Sequence, residues 1–295
     1  MCTSIKFNDK AGNMYAGRNL DWSSDFDEKI VITPQSFHYA SAYMGELSPR
    51  AGAIIGLALV ENGVPLYFDC ANEAGLYVAG LNFPEASYSA TPIEGKTNIA
   101  TYEFPLFIAL KYSSVDEAER ELKNFTIVGH PISANYPATP LHWFIADQSR
   151  AIVVEYTGSE INIYENEADV LTNAPNFKAQ YDNLKSFLSH PQPESIMPGD
   201  YSSESRFIRV SLVNSHYPVA AGETANISRL FHTLSSAAMV KGIKNTPTGY
   251  EYTTYTSGYS TAEKAYYYNT YDNPTIRKYA FADYDLNSQD LNIVS

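Results

Sequence analysis

Cysteine is scarce in this chain, and positive charge is outnumbered by negative. Only Cys2 and Cys70 occur in 295 residues, too few for a disulfide framework, and no C-x-x-C pair suggests zinc. Twenty Lys and Arg stand against 33 Asp and Glu, a formal net charge of −13, and the basic residues form no run. Such a chain repels a phosphate backbone, so nucleic acid is not the expected partner. No apolar stretch approaches the ~18 residues of a membrane span, and the N-terminus MCTSIKFNDK lacks the apolar core of a signal peptide. A soluble cytoplasmic protein without membrane contact is the expectation. The sequons at Asn124 and Asn226 carry no weight without a secretion signal.

Familiar catalytic signatures are missing too. There is no G-x-S-x-G, H-E-x-x-H, G-x-G-x-x-G or P-loop. Asp283, Asp285 and Asn287 begin like a calcium loop, but Ser288 stands where the loop needs glycine and Val294 where it needs a bidentate glutamate. An acidic strand end is the better reading, and no metal or cofactor is expected.

What the chain does have is apolar and aromatic surface. Hydrophobic residues make up 44%, charged residues 18%, and there are 24 tyrosines, a composition that folds and favours sheet. Strand patterns occupy Cys2–Phe7 and Met14–Asn19 around the turn Asp9–Asn13, then Lys29–Thr33, Ala53–Val60, Val64–Phe68 and Leu76–Phe83. Asn62-Gly63 reads as a tight hairpin turn. Helices are predicted at Tyr102–Lys111 and Val115–Asn124, the second with Ser114 as N-cap and Glu117 closing a capping box. Strands return at Leu141–Ala146, Ala151–Tyr156, Ile161–Tyr164 and Val170–Thr172. Helices follow at Phe177–Ser189, Ser203–Ser215 and Glu223–Val240, and strands at Tyr252–Thr256, Ala265–Tyr271 and Lys278–Ala282. This order predicts an α+β fold, two packed sheets with helices outside, in one domain covering residues 1–295.

Chemistry concentrates at the N-terminus. Cys2 follows the initiator, and methionine is readily removed before small residues, leaving a thiol and a free α-amine on one residue. An unperturbed α-amine titrates near ~7.7–8.0, so it can serve as a base at cellular pH. The thiol is the most nucleophilic side chain available there. The segment GRNLDW at 17–22 ends the strand that a hairpin would pair with residue 2. Arg18 would then stabilise negative charge on sulfur, and Asp21 would orient the α-amine. Cys70, inside an apolar strand, reads as a packed, inert thiol. His142 and His232 lie in apolar or helical patterns and read as ordinary core or boundary residues.

The chain resembles the choloylglycine hydrolase family of conjugated bile acid hydrolases and penicillin V acylases. The markers are MCT at 1–3, GRNLDW at 17–22, FDCANEAGL at 68–76, AGLNFP at 79–84, LHWFIAD at 141–147, VLTNAP at 170–175, SRFIRV at 205–210 and YYYNTYDNP at 266–274. The resemblance implies a four-layer αββα sandwich of the N-terminal-nucleophile hydrolase type, without metal or cofactor. It makes Cys2 the nucleophile and its α-amine the base, with Arg18 beside the thiol and Asp21 on the amine. Asn173 by its side chain and Asn82 by its backbone N–H would form the oxyanion hole, and Arg206 would complete the cluster. Asn82 is similar to the bile acid hydrolases, where penicillin V acylases tend to carry Tyr. The implied substrate is a glycine- or taurine-conjugated bile acid, in a pocket lined by Leu20, Phe26, Tyr67 and the segment Ile127–Ala138. A penicillin V or acyl-homoserine-lactone acylase, or a non-catalytic binder of bile acids or lipids on the same fold, are the rival readings.

One departure bears on assembly. Many relatives carry a long excursion between the VLTN and SRF motifs that reaches onto neighbouring subunits of a tetramer. Here Asn173 and Arg206 are 33 positions apart, most of them taken by a predicted helix and the loop HPQPESIMPGD at 190–200. Stable interfaces bury about 1,200–2,000 Å² in total, and losing one arm per subunit weakens a tetramer. A dimer, or a tetramer that dissociates on dilution, is the expected homo-oligomer. Light scattering across a dilution series should show the mass falling, and a tetramer that persists at nanomolar protein would refute the expectation.

Overall fold

The computed structural model describes residues 1–134, 136–158 and 160–294. Among them the chain forms two units. The first is Met1–Asp25 with Asn166–Tyr279, and the second is Phe26–Glu165 with Ala280–Ser295.

The second unit is built on an eight-stranded antiparallel sheet, described along its width. Glu160–Glu165 lies at one edge, followed by Ala151–Thr157, Leu141–Ala146, Tyr77–Asn82, Val64–Asn72, Ile54–Glu61 and Lys29–Thr33, with Asn292–Val294 at the far edge. Asn62 and Gly63 both have positive φ, 53° and 78°, as a two-residue hairpin turn matched to strand twist requires. Helix α1, Phe104–Lys111, is apolar all round and buried along Phe104–Leu110 against the strands Val64–Asn72 and Tyr77–Asn82. Phe104 stacks on Trp143 with ring centroids 4.1 Å apart. Its first turn, Thr101–Glu103, is 3₁₀, so the helix predicted from Tyr102 starts two residues later. Helix α2, Val115–Leu122, has the expected N-cap, Ser114 Oγ accepting from Glu117 N–H at 3.2 Å. The Glu117 carboxylate reaches back to Ser113 N–H at 2.8 Å, one residue earlier than a standard capping box.

Tyr67 and Ile127, expected on a pocket wall, are instead core residues of this unit. The Tyr67 hydroxyl bonds Thr33 Oγ1 at 2.9 Å and Val31 O at 3.1 Å. Ile127 belongs to a strand, Phe125–Val128, that pairs in parallel with Thr97–Ala100. Asn135, in the same expected segment, lies outside the described residues.

In the first unit the sheet has seven strands. Val170–Leu171 is followed across the sheet by Cys2–Asn8, Met14–Trp22, Gly249–Ser260, Ala265–Thr270 and Arg277–Ala280, and Lys244–Thr246 adds to Gly249–Ser260. Three helices accompany it. They are α3, Phe177–Leu188, capped by Asn176, α4, Ser203–His216, capped by Ser202, and α5, Glu223–Ser235, entered through Gly222 at φ 83°. α4 packs on Cys2–Asn8, α5 on Met14–Trp22 and Gly249–Ser260, and α3 on α4. The helix predicted to run to Val240 stops at Ser235. Met239 is drawn to the sheet instead, its N–H on Thr253 Oγ1 at 2.8 Å and its C=O accepting from Thr253 N–H at 3.0 Å.

Glycine sets the spacing where α5 meets this sheet. Gly17 lies opposite Gly258, and Leu230 of α5 occupies the room that a side chain at 258 would need. A Cβ at Gly17 would come within 2.2 Å of Ser257 O and 2.9 Å of the Gly258 Cα, both backbone atoms. Gly17→Ala should therefore destabilise the fold by about 2–3 kcal/mol, the cost of overpacking, read from denaturant unfolding. Unfolding at the parental midpoint would overturn this account of the spacing.

Candidate active site

The N-terminal hairpin pairs Cys2 with Leu20, Thr3 with Asn19 and Ser4 with Arg18. Paired residues point to the same side, and sides alternate along a strand. Cys2, Ser4, Arg18 and Leu20 therefore share the face turned away from the helices. Thr3, Asn19 and Asp21 share the helix face, where Asn19 Nδ2 donates to Leu234 O of α5 at 2.8 Å. Arg18 is the diagonal neighbour of Cys2, and its length closes the gap. Nη2 donates to the Cys2 sulfur at 2.7 Å, with Arg18 1% exposed and Cys2 5%.

From the helix face, Arg206 of α4 reaches the same residue through its backbone. Nη1 donates to Cys2 O at 2.5 Å and Thr3 Oγ1 at 2.7 Å, and Nη2 donates to Asn173 Oδ1 at 2.8 Å. Nε donates to Tyr201 O at 3.2 Å. Burial pulls this guanidinium below its ordinary value, while Asp21 and Cys2 pull it back up. Asn173 follows the strand Val170–Leu171, and its Oδ1 also accepts from Cys2 N–H at 2.7 Å. With Oδ1 held by two donors, Nδ2 is the donor end of this amide. Cys2, Arg18, Asn173 and Arg206 are thus joined by direct hydrogen bonds.

Asp21 enters differently. Met1 precedes Cys2 in the structure, so the terminal ammonium sits one residue further out. It donates to Asp21 O at 2.7 Å and is paired with Glu251. Asp21 N–H returns a bond to Met1 O at 2.8 Å. The Asp21 carboxyl takes the Thr253 hydroxyl on Oδ1 at 2.6 Å, while Oδ2 is buried without a partner. Burial raises its pKa, against the lowering pull of the ammonium, Arg206 and Thr253. For Glu251, burial works upward but the ammonium and Lys244, at 2.6 Å, outweigh it and hold the group low. Nothing in the sequence singles out Glu251 or Thr253, which lie in a tyrosine-rich strand.

Asn82 stands in the second unit, at the end of its strand and opposite Leu141. Cys70 is there too, fully buried with its sulfur 3.8 Å from Pro105 O. Burial drives its pKa well up, helped by Asp69, as expected of an inert thiol. Among the described residues no three His, Cys, Asp or Glu side chains converge as a metal would need, and no helix is long and apolar enough to cross a membrane.

The sequence pattern of the linear amide C–N hydrolases, choloylglycine hydrolase family, matches residues 2–294. The chain belongs to that family. Members of it hydrolyse carbon–nitrogen bonds of linear amides, and this chain is a hydrolase of that kind. It is 44% identical to a bile salt hydrolase/transferase of Bifidobacterium longum, over 99% of this chain and 98% of that one. It is 36% identical to a conjugated bile acid hydrolase of Lactobacillus acidophilus, over 99% of each. A crystal structure of a conjugated bile acid hydrolase from Clostridium perfringens superposes with a TM-score of 0.91 at 33% identity, covering 100% of this chain and 97% of that one. A penicillin V acylase from Agrobacterium tumefaciens shares the fold, with a TM-score of 0.83 at 20% identity over 99% and 90% of the two chains. The fold is the α+β fold of N-terminal-nucleophile hydrolases that the sequence predicts.

The position of Met1 generates a test. A peptide nitrogen cannot take a proton from the thiol, so an α-amine base at Cys2 would require Cys2 to be the terminus. Intact-mass measurement of active protein should find a chain that begins at Cys2, and an N-terminal extension that resists removal should silence it. An active sample carrying Met1 throughout would be incompatible with an α-amine base.

Proposed function

We propose that this chain is a bile salt hydrolase that cleaves the amide bond of glycine- or taurine-conjugated bile acids with Cys2 as nucleophile. One observation carries the reading: Arg18 Nη2 stands 2.7 Å from the sulfur of the residue that follows the initiator. A buried guanidinium there balances charge on sulfur in both the free thiolate and the attacking state. The substrate class is supported by the relatives described above and by Asn82.

In the proposed sequence the Cys2 α-amine takes the thiol proton as sulfur attacks the acyl carbonyl. The tetrahedral oxygen is held by the side-chain amide of Asn173, a donor whose worth grows as charge develops. The resulting α-ammonium gives its proton to the departing glycine or taurine nitrogen as the C–N bond breaks, leaving a thioester. Water then attacks that carbonyl, the α-amine takes the water's proton and returns it to sulfur, and the free bile acid leaves. Asp21 keeps the α-amine in place, its unpaired Oδ2 serving as the acceptor once the amine belongs to Cys2. Arg206 fixes Asn173 and the Cys2 carbonyl. The enzyme works as a cytoplasmic homo-oligomer, one domain per chain; only the exposed Ile196 and Met197 give the short 190–200 loop an apolar anchor.

Cys2→Ala should abolish release of glycine and taurine while leaving the unfolding midpoint near that of the parent. Cys2→Ser should be severely impaired, since a hydroxyl is the poorer nucleophile near neutral pH. Conjugated bile acids should show a higher kcat/KM than penicillin V in direct competition. Turnover by purified Cys2→Ala protein would sink the mechanism, and a preference for penicillin V would reassign the substrate but leave the catalytic residues standing.

A further inference from the structure

Asn173 sits on a short segment between the strand Val170–Leu171 and helix α3, and something must fix the direction of its side chain. The structure points to Gln180. This side chain is 1% exposed. Its Nε2 donates to Asn173 O at 2.5 Å and Pro175 O at 2.8 Å. Its Oε1 accepts from Thr172 Oγ1 at 2.6 Å and from Ser203 Oγ at 3.5 Å. Two carbonyls on one side and two hydroxyls on the other leave one possible orientation for the amide. Ser203 Oγ in turn accepts from Asn173 N–H at 2.8 Å.

We propose that Gln180 is a positioning residue for the oxyanion contact, clamping Thr172–Pro175 so that the Asn173 amide points at the reacting carbonyl. The proposal rests on the reading of Asn173 as an oxyanion donor. The physical case is one of satisfaction and aim. Asn173 has both backbone groups bonded by Gln180 and Ser203 and its Oδ1 bonded by Cys2 and Arg206, so its backbone and one end of its amide are fixed from opposite sides. A segment so short, with its carbonyls turned inward, has no ladder of its own to replace those bonds. Removing the Gln180 amide would take a donor from the Asn173 and Pro175 carbonyls and an acceptor from the Thr172 hydroxyl, which keeps its bonds to Ser203, and the segment would shift. Misplacement of a reacting donor by about 1 Å can cost on the order of a hundredfold in rate. Substrate binding, which is made elsewhere, would be left nearly as it was.

The test is a double-mutant cycle on the full-length enzyme, with kcat and KM measured on a glycine-conjugated bile acid. Gln180→Met keeps volume and loses every hydrogen bond. It should lower kcat by about tenfold to a hundredfold with KM changed by less than about threefold. In an Asn173→Ala background the same substitution should cost nothing further in kcat, because the donor it aims is gone. Should Gln180→Met not fold, Ser203→Ala removes the acceptor for Asn173 N–H and should show a smaller kcat loss with the same non-additivity. A folded Gln180→Met enzyme with parental kcat, while Asn173→Ala is impaired, would overturn the Gln180 assignment alone. Losses that multiply in the double variant would also overturn it, since Gln180 would then act independently of Asn173. Asn173→Ala with parental kcat would instead remove the oxyanion reading on which the proposal stands.

Discussion

The site depends on one buried cation. Arg206 places a planar guanidinium, fully removed from solvent, among the N-terminal strand, the Asn173 segment and the residue that leads into α4, Tyr201. Taking such a charge out of water costs several kcal/mol, and attraction to a neighbouring carboxylate offsets it only when the hydrogen bonds are also met. Here both requirements are satisfied, with Asp21 as counter-charge and hydrogen-bond partners for all three nitrogens. Lysine could not substitute, because a point charge on a flexible stem cannot hold three chain segments in one plane. The nucleophile's own carbonyl is among the acceptors, so the ion that locates Asn173 also locates Cys2. Their relative position is therefore a property of one group.

A division of labour follows from the pleat. The sulfur and Arg18 lie on the sheet face away from the helices, while Asp21, Thr253 and Arg206 work from the helix face. The strand itself separates the reacting atom from the groups that hold it. Those holding groups can be densely bonded without crowding the substrate, and Arg18 shares the reacting side with the sulfur.

Much of this was legible in advance. Period-two patterning and the Asp9–Asn13 turn predict the hairpin, and the hairpin by itself brings Arg18 beside Cys2. The capping serines and Asn62-Gly63 place α2 and a tight turn, because their chemistry is local. Where the reading fell short, the deciding interaction was not local. α5 stops at Ser235 because Thr253, eighteen residues later in sequence, captures Met239. Tyr67 and Ile127 look as apt for a pocket as for a core, since sequence carries their hydrophobicity and not their neighbours. The strands at Tyr39–Ser41, Gly45–Leu47 and Lys244–Thr246 are three residues each, too short for a period to show. Glu251, Gln180 and Ser203 were invisible because no spacing marks them. The site residues that sequence did name came mostly from resemblance, with Asn173 and Arg206 otherwise reading as a turn residue and a helix charge.

The bonding of Met1 bears on when the enzyme can come into being. On the proposed mechanism the Met1–Cys2 bond must be cut, yet in the folded chain its carbonyl accepts from Asp21 N–H, its nitrogen donates to Asn173, and the ammonium is locked on Glu251 and the Asp21 carbonyl. A processing peptidase needs that bond extended and unpaired in its own cleft, and here every polar atom of it is engaged in the sheet. On that mechanism the cut would be easiest on the nascent chain, before Asn173 and Glu251 arrive to engage this bond and its ammonium. Synthesis that outran the peptidase would then leave a folded fraction whose first amine is Met1's, and specific activity would fall in proportion to that fraction.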